Sequence, residues 1–159
     1  MEKLEKKLPK EAKTVWMING IITFAILLLI PIGYFTMRFF IENLPLWPLY
    51  VSLAFAIIIG ILTVFITPNL KMIYWGYAIR EDEVDIQYGI IIVKRTLIPM
   101  TRIQHVDTEH GPIQRKFKLA TLSISTAGSN HKIPALQEET ANQLRKDISH
   151  LANTSDENV

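Results

Sequence analysis

The sequence contains no cysteine. That excludes disulfides, thiol nucleophiles and most structural zinc sites. Neither sign of charge dominates: 17 Lys and Arg stand against 15 Asp and Glu, a formal net charge of +2. Such a balance gives no reason to expect a nucleic-acid partner. The phosphate loop Gly-x-x-x-x-Gly-Lys, the dinucleotide fingerprint and the nucleophile elbow Gly-x-Ser-x-Gly are all missing, so the common nucleotide-binding and hydrolase chemistries lack their motifs. No segment repeats at the roughly 20–50-residue period of solenoids and propellers. The most informative absence is local. Residues 15–35 and 46–67 contain no Asp, Glu, Lys, Arg or His.

Those two uncharged runs are rich in Leu, Ile, Val and Phe. Each is long enough, at about 1.5 Å per helical residue, to cross a hydrocarbon core of roughly 30 Å. At ~0.3–0.6 kcal/mol gained per Leu, Ile, Phe or Val, their apolar side chains outweigh Asn19 or Ser52. A signal peptide has a shorter apolar region and a small-residue cleavage site, and Ile30-Pro31-Ile32-Gly33-Tyr34 offers none. A soluble core helix would carry polar residues on one face. The expectation is a transmembrane hairpin: a basic N-terminus at 1–14, helices at 15–35 and 46–67, and a short external loop at 36–45. Lys3, Lys6, Lys7, Lys10 and Lys13 precede the first span, and Lys71, Arg80, Lys94 and Arg95 follow the second. The loop holds only Arg38 and Glu42. By the positive-inside rule both termini are expected to face the cytoplasm. Trp16, Tyr34 and Phe35 mark the ends of the first span, and Trp47, Tyr50, Tyr74 and Trp75 those of the second, as interfacial aromatics do.

Ser52, Ala56 and Gly60 recur every four residues and make one shallow stripe where a helix can approach closely. It serves either self-packing within the hairpin or docking of another membrane subunit. Asn19 and Thr23 share the spacing and offer hydrogen bonds across the pair. Pro68 and Asn69 are expected to end the second helix.

Past that point the period changes from helical to alternating. Strands are expected at 77–80, 84–88, 103–109 and 121–126, with a hairpin turn at Ala127, Gly128, Ser129 and Asn130 leading into His131, Lys132 and Ile133. Ile90, Ile91, Ile92 and Val93, followed by Lys94, Arg95, Thr96, Leu97 and Ile98 and closed by Pro99, read as a third strand, or as an apolar loop tip that would dip into the membrane interface plus a strand. Core is the expectation, because short Ile/Val runs usually fill sheets. After Pro134 the helical period returns, with Ala141, Leu144, Ile148 and Leu151 on one face. Glu138 and Glu139 sit in its first turn, as the helix dipole prefers. The soluble domain spans 73–151 and a polar tail follows at 152–159. The fold class is α+β: a two-helix membrane hairpin, then an antiparallel β-domain covered by one amphipathic helix.

Several of these residues together resemble a known family. Tyr77-Ala78-Ile79, Gly89, Leu97-Ile98-Pro99, Arg102-Ile103-Gln104-His105-Val106, Pro112, Arg115-Lys116-Phe117, Leu122-Ser123-Ile124 and Thr126-Ala127-Gly128 follow in the order seen in the bacterial pleckstrin-homology-like family, bPH2. The resemblance covers roughly 74–151, and the preceding hairpin fits it. It implies two bent antiparallel sheets forming a sandwich or barrel, closed at one end by the C-terminal helix. It also implies work beside a larger membrane protein that carries several copies of the domain. One departure is Lys118, where many relatives have Gly. A turn that needs positive φ suits Lys less well.

Candidate chemistry is sparse. Alternation puts His105, Asp107 and Glu109 on one face of a strand, which is a ligand-like trio of residue types. A wet strand face gives the same pattern, so no metal is expected. Ser123 and Ser125 lie on an ordinary strand. No catalytic residue and no cofactor is expected, and the chain is read as a non-enzyme. Arg115, Lys116 and Lys118 form a basic cluster that either faces solvent or binds anionic lipid heads, each such residue near an anionic leaflet gaining about 1 kcal/mol. The expected function is a membrane-anchored interaction module, a subunit of a complex with a larger bPH2 protein. Two alternatives stand beside it: a part in resistance to membrane-active antimicrobial peptides, and the sensing of anionic membrane lipid.

Overall fold

The computed structural model describes residues 7–41 and 43–156. Helix α1 is Lys10–Arg38 and helix α2 is Trp47–Tyr74. Both are long and apolar enough to cross a membrane. Six strands follow: β1 Gly76–Ile79, β2 Glu83–Tyr88, β3 Lys94–Pro99, β4 Ile103–Glu109, β5 Leu119–Thr126 and β6 Asn130–Gln137. A short helix α3, Pro112–Lys116, lies between β4 and β5, and α4, Glu138–Asp156, ends the described chain. This is the expected α+β class.

The chain divides into two compact units. The first is Trp16–Asn69, the helical hairpin. Its helices meet where the sequence supplies no side chain. A Cβ added at Gly20 would lie 2.7 Å from the Thr63 carbonyl oxygen, and one at Gly60 would run into the Phe24 ring. Only glycine permits such a backbone approach. Ala56 is buried on the same stripe. Thr23 does not bond across the pair as expected. Its hydroxyl turns back onto the Asn19 carbonyl at 2.9 Å within its own helix, the usual outlet for a helical Thr in apolar surroundings. The connecting loop is tied by Arg38, which donates to the Leu44 carbonyl at 2.9 Å, and by the Tyr34 hydroxyl, which donates to the Pro45 carbonyl at 2.6 Å.

The second helix does not end at Pro68. It passes through a π turn at Leu62–Ile66 and continues as α-helix over Thr67–Tyr74. Thr67 donates its backbone N–H and its hydroxyl to the Leu62 carbonyl, five residues back. Pro68 then falls in the first turn of the new α segment, where a missing N–H costs little. Asn69 supplies a substitute donor, its amide bonding the Phe65 carbonyl at 2.7 Å.

The second unit joins residues 7–15 to residues 70–156. Strands β1-β2-β3 form one antiparallel sheet and β4-β5-β6 another. Alternation turns Val84 and Ile86 of β2, and Leu122 and Ile124 of β5, into the core. Helix α4 buries Ala141, Leu144, Ile148 and Ala152 and packs chiefly on β4 and the turn Met100–Arg102 before it. Ala152, rather than Leu151, completes the buried face.

Three further expectations are corrected here. Strand β6 runs on through Pro134 to Gln137, and the helix starts only at Glu138. A bulge makes this possible: Ile133 faces Leu122 and Leu136 faces Ala120, so Pro134 and Ala135 together oppose Thr121. Ala135 takes a left-handed φ of 54° there. The N-terminal segment is not merely polar and basic, because Leu8, Ala12 and Val15 are buried. Finally, Ile90, Ile91, Ile92 and Val93 are not core. They form the loop between β2 and β3.

Candidate interaction site

Strand β2 ends at Tyr88, opposite Lys94 of β3. Gly89 then adopts a φ of 123°, which an L side chain rarely permits. A Cβ there would collide with the Ile92 carbonyl oxygen, because the loop folds back over the glycine. The result is a tight projection that leaves Ile91 95% and Ile92 73% exposed. Among the described residues of this unit, the other large apolar side chains exposed are Ile73 and Leu97. Burying an isoleucine is worth about 1.5–3 kcal/mol, so the tip leaves substantial apolar contact unmade.

The base of the tip is braced by an aromatic stack and an ion pair. Trp75, the residue after helix α2, stacks on Tyr88 with ring centroids 5.7 Å apart and planes inclined by 30°. Behind it, Asp85 is fully buried and held by Arg95: Nε lies 3.0 Å from both carboxylate oxygens and Nη2 lies 2.5 Å from Oδ2. This two-pronged grip is the strong form of carboxylate pairing. The pair is asymmetric, since the Arg95 side chain is 39% exposed. Losing Asp85 would leave a guanidinium that can turn to water. Losing Arg95 would strand a buried charge, which costs ~3–5 kcal/mol. Beside the stack a cleft of about 310 Å³ is lined by Trp75, Ile86, Tyr88, Asn130, His131 and Lys132. Its polar rim is internally bonded: the Ser123 hydroxyl donates to Asn130 Oδ1 at 2.9 Å, and His131 Nε2 meets the Ser129 hydroxyl at 2.7 Å. In the same unit, burial pushes the Tyr77 phenol above its ordinary range.

The basic cluster lies elsewhere in the fold. Arg115 and Lys116 close α3, whose start is set by Pro112 and by the Gly111 N–H donating to Gln114 Oε1 at 3.2 Å. Lys118 occupies the tight turn that follows, with φ at 51°. The turn forms although Lys stands where Gly would fit without strain. Its carbonyl accepts from the Glu138 N–H at 2.9 Å, anchoring the start of α4. All three cations are exposed. However, Lys118 shares a cavity of about 550 Å³ with Glu11, Glu138 and Glu139. These carboxylates offset the positive potential that an anionic headgroup would need.

His105, Asp107 and Glu109 share the exposed face of β4, as the alternation implies. Glu109 is engaged by Lys132 at 2.7 Å. Among the described residues, no three His, Asp or Glu side chains gather as a metal-binding group. Ser52, Ala56 and Gly60 lie in the hairpin unit, with Gly60 against Phe24 of α1. Sequence reasoning missed the Asp85–Arg95 pair and the Trp75–Tyr88 stack. A hairpin register for β2 and β3 would have found the first, since it sets Arg95 opposite Gln87 on the neighbouring strand, one alternate position from Asp85.

Two three-stranded sheets, one covering helix and a preceding apolar hairpin define a membrane-type protein with a small pleckstrin-like domain. The sequence profile described as Bacterial PH domain matches residues 10–152, hairpin included, and the chain belongs to that family. It is 40% identical over 161 residues to the UPF0699 transmembrane protein YdbS of Bacillus subtilis strain 168, covering 99% of each chain. It is also 31% identical over 99 residues to the UPF0699 transmembrane protein YdbT of that strain, a match covering 58% of this chain and 20% of YdbT. No solved structure gives a significant match.

Proposed function

We propose that this chain is a non-enzymatic, membrane-anchored interaction module and a subunit of a complex with a larger, YdbT-type bPH2 membrane protein. The hairpin holds the β-unit at the cytoplasmic face of the bacterial cell membrane, with both termini cytoplasmic. Burial of Leu8, Ala12 and Val15 within the β-domain's own unit supports placing both chain flanks on one side. The carrying observation is the outer edge of β3. This strand pairs with β2 alone, and its Leu97 is 52% exposed beside the open edge. An unpaired sheet edge offers backbone N–H and C=O groups that can accept another chain, and Leu97 adds an apolar contact beside them. The match to a fifth of YdbT supports this reading, because that protein is a longer transmembrane protein with a segment related to this chain.

The test is affinity purification of the tagged chain from native membranes in mild detergent, with mass spectrometry of what accompanies it. A stoichiometric larger bPH2 protein is expected. Leu97→Lys, which alters an exposed position, is expected to release that protein while the chain stays in the membrane. Recovery of the chain alone would overturn the subunit reading.

A further inference from the structure

We infer that the tip between β2 and β3 is a lipid-inserting element: Ile91 and Ile92 enter the headgroup–acyl boundary of the bilayer that the helices cross. The inference rests on the membrane location proposed above but not on any protein partner.

Four observations converge on lipid rather than water as the surroundings of this loop. The two isoleucines are exposed at 95% and 73%, in a unit whose strands otherwise turn Val84, Ile86, Leu122, Ile124 and Ile133 inward. The projection is built, not frayed, because Gly89 lets the Ile92 backbone close over it. The base of the tip carries the interfacial pair of residue types, Trp75 stacked on Tyr88. Trp75 directly follows the helix Trp47–Tyr74, so the stack fastens the loop to the end of a span, where Trp and Tyr favour the headgroup layer. Lastly, the sequence has no carboxylate between Asp85 and Asp107, while Lys94, Arg95 and Arg102 lie in that interval. Arg95 is engaged by Asp85, and Lys94 is the exposed cation at the foot of the tip. An apolar point with a cation behind it matches an anionic leaflet: the side chains meet acyl chain while the ammonium stays among headgroups.

This site is distinct from the Arg115, Lys116 and Lys118 cluster. That cluster has the charge but carries glutamates beside it and no apolar point. The tip has less charge and the apolar surface that gives insertion its driving force.

The absence of cysteine makes the test clean. Full-length Ile91→Cys is labelled with an environment-sensitive fluorophore and reconstituted in vesicles of phosphatidylcholine mixed with phosphatidylglycerol. Asp107→Cys, on the exposed face of β4, is the aqueous control, and Ile26→Cys, on α1, reports the span. The label at 91 is expected to emit to the blue of the label at 107. It should be quenched several-fold more by lipid bearing a nitroxide high on the acyl chain, and several-fold less by aqueous iodide. Lys94→Glu should weaken that lipid quenching in the mixed vesicles and not in phosphatidylcholine alone. A label at 91 open to iodide, with the label at 26 quenched by lipid, overturns the inference and leaves the membrane reading standing. A label at 91 shielded from iodide yet untouched by lipid nitroxide means that protein covers the tip, and the inference fails. A label at 26 that lipid does not quench removes the membrane reading and the inference with it.

Discussion

The two units solve opposite packing problems. In the hairpin, glycine and alanine lie inside, at Gly20, Ala56 and Gly60, while Ile22, Ile26, Leu29 and Ile58 face outward. In the β-unit, isoleucine and leucine lie inside and the charges, Asp85 apart, face outward or lie part-buried at the surface. Lipid gives no reason to hide an isoleucine, so helices there are held by close backbone approach. Water gives every reason, so the strands bury whatever is apolar. Exposure of an apolar residue therefore has no meaning until its solvent is known. Ile91 and Ile92 belong to the second unit by position and follow the rule of the first.

That contrast can be sharpened by substitution. The largest effect is expected from Ile86→Ala, which opens a cavity in the β-unit and should lower its stability by about 2–5 kcal/mol. Ile91→Ala makes the same chemical change at the tip and should stay within about 0.5 kcal/mol in detergent, as exposed positions do. Denaturant titration followed by Trp75 fluorescence compares the two. Next comes Gly20→Ala. The added Cβ has backbone, not a movable side chain, in its way. About 1–3 kcal/mol of hairpin stability should be lost, read as earlier unfolding on titration with dodecyl sulfate. The smallest effect runs the other way. Lys118→Gly removes a side chain from a left-handed turn and should stabilise the β-unit by about 0.5 kcal/mol, the relief of strain being partly offset by added chain entropy. Thermal unfolding would register it as a small rise in midpoint.

Much of the architecture can be read from the residues themselves. The two spans follow from length and uncharged composition, β4 from strict alternation, and α4 from its three- and four-residue spacing. What escapes is what depends on a neighbour across space. A Pro at position 68 reads as a stop, but a π turn ending two residues earlier, at Ile66, carries the helix past it. A Pro at 134 reads as a strand end, but a bulge against Thr121 absorbs it. Four apolar residues at 90–93 look alike whether a sheet buries them or a glycine turns them outward. The tip is visible only once Gly89 is known to take positive φ. Asp85 looks like one polar residue on a wet face, and only the register of β3 reveals Arg95 reaching across to it. The positively charged residues at Arg115, Lys116 and Lys118 are obvious in sequence, whereas the glutamates beside Lys118 come from positions 11, 138 and 139.

Glu11 also fixes an order of events during synthesis. It shares its cavity with Phe117, Leu119, Gln137 and Asn142, residues that leave the ribosome only after both spans have been made. The segment that precedes the hairpin, with Leu8 and Ala12 on it, is made before the strands of the β-unit and can be buried in that unit only once they follow. Completion of the β-unit thus joins residues that precede the hairpin in sequence to residues that follow it. With both termini cytoplasmic, as proposed above, a chain whose first helix inserted the wrong way round would hold Leu8 and Ala12 apart from the β-unit that buries them.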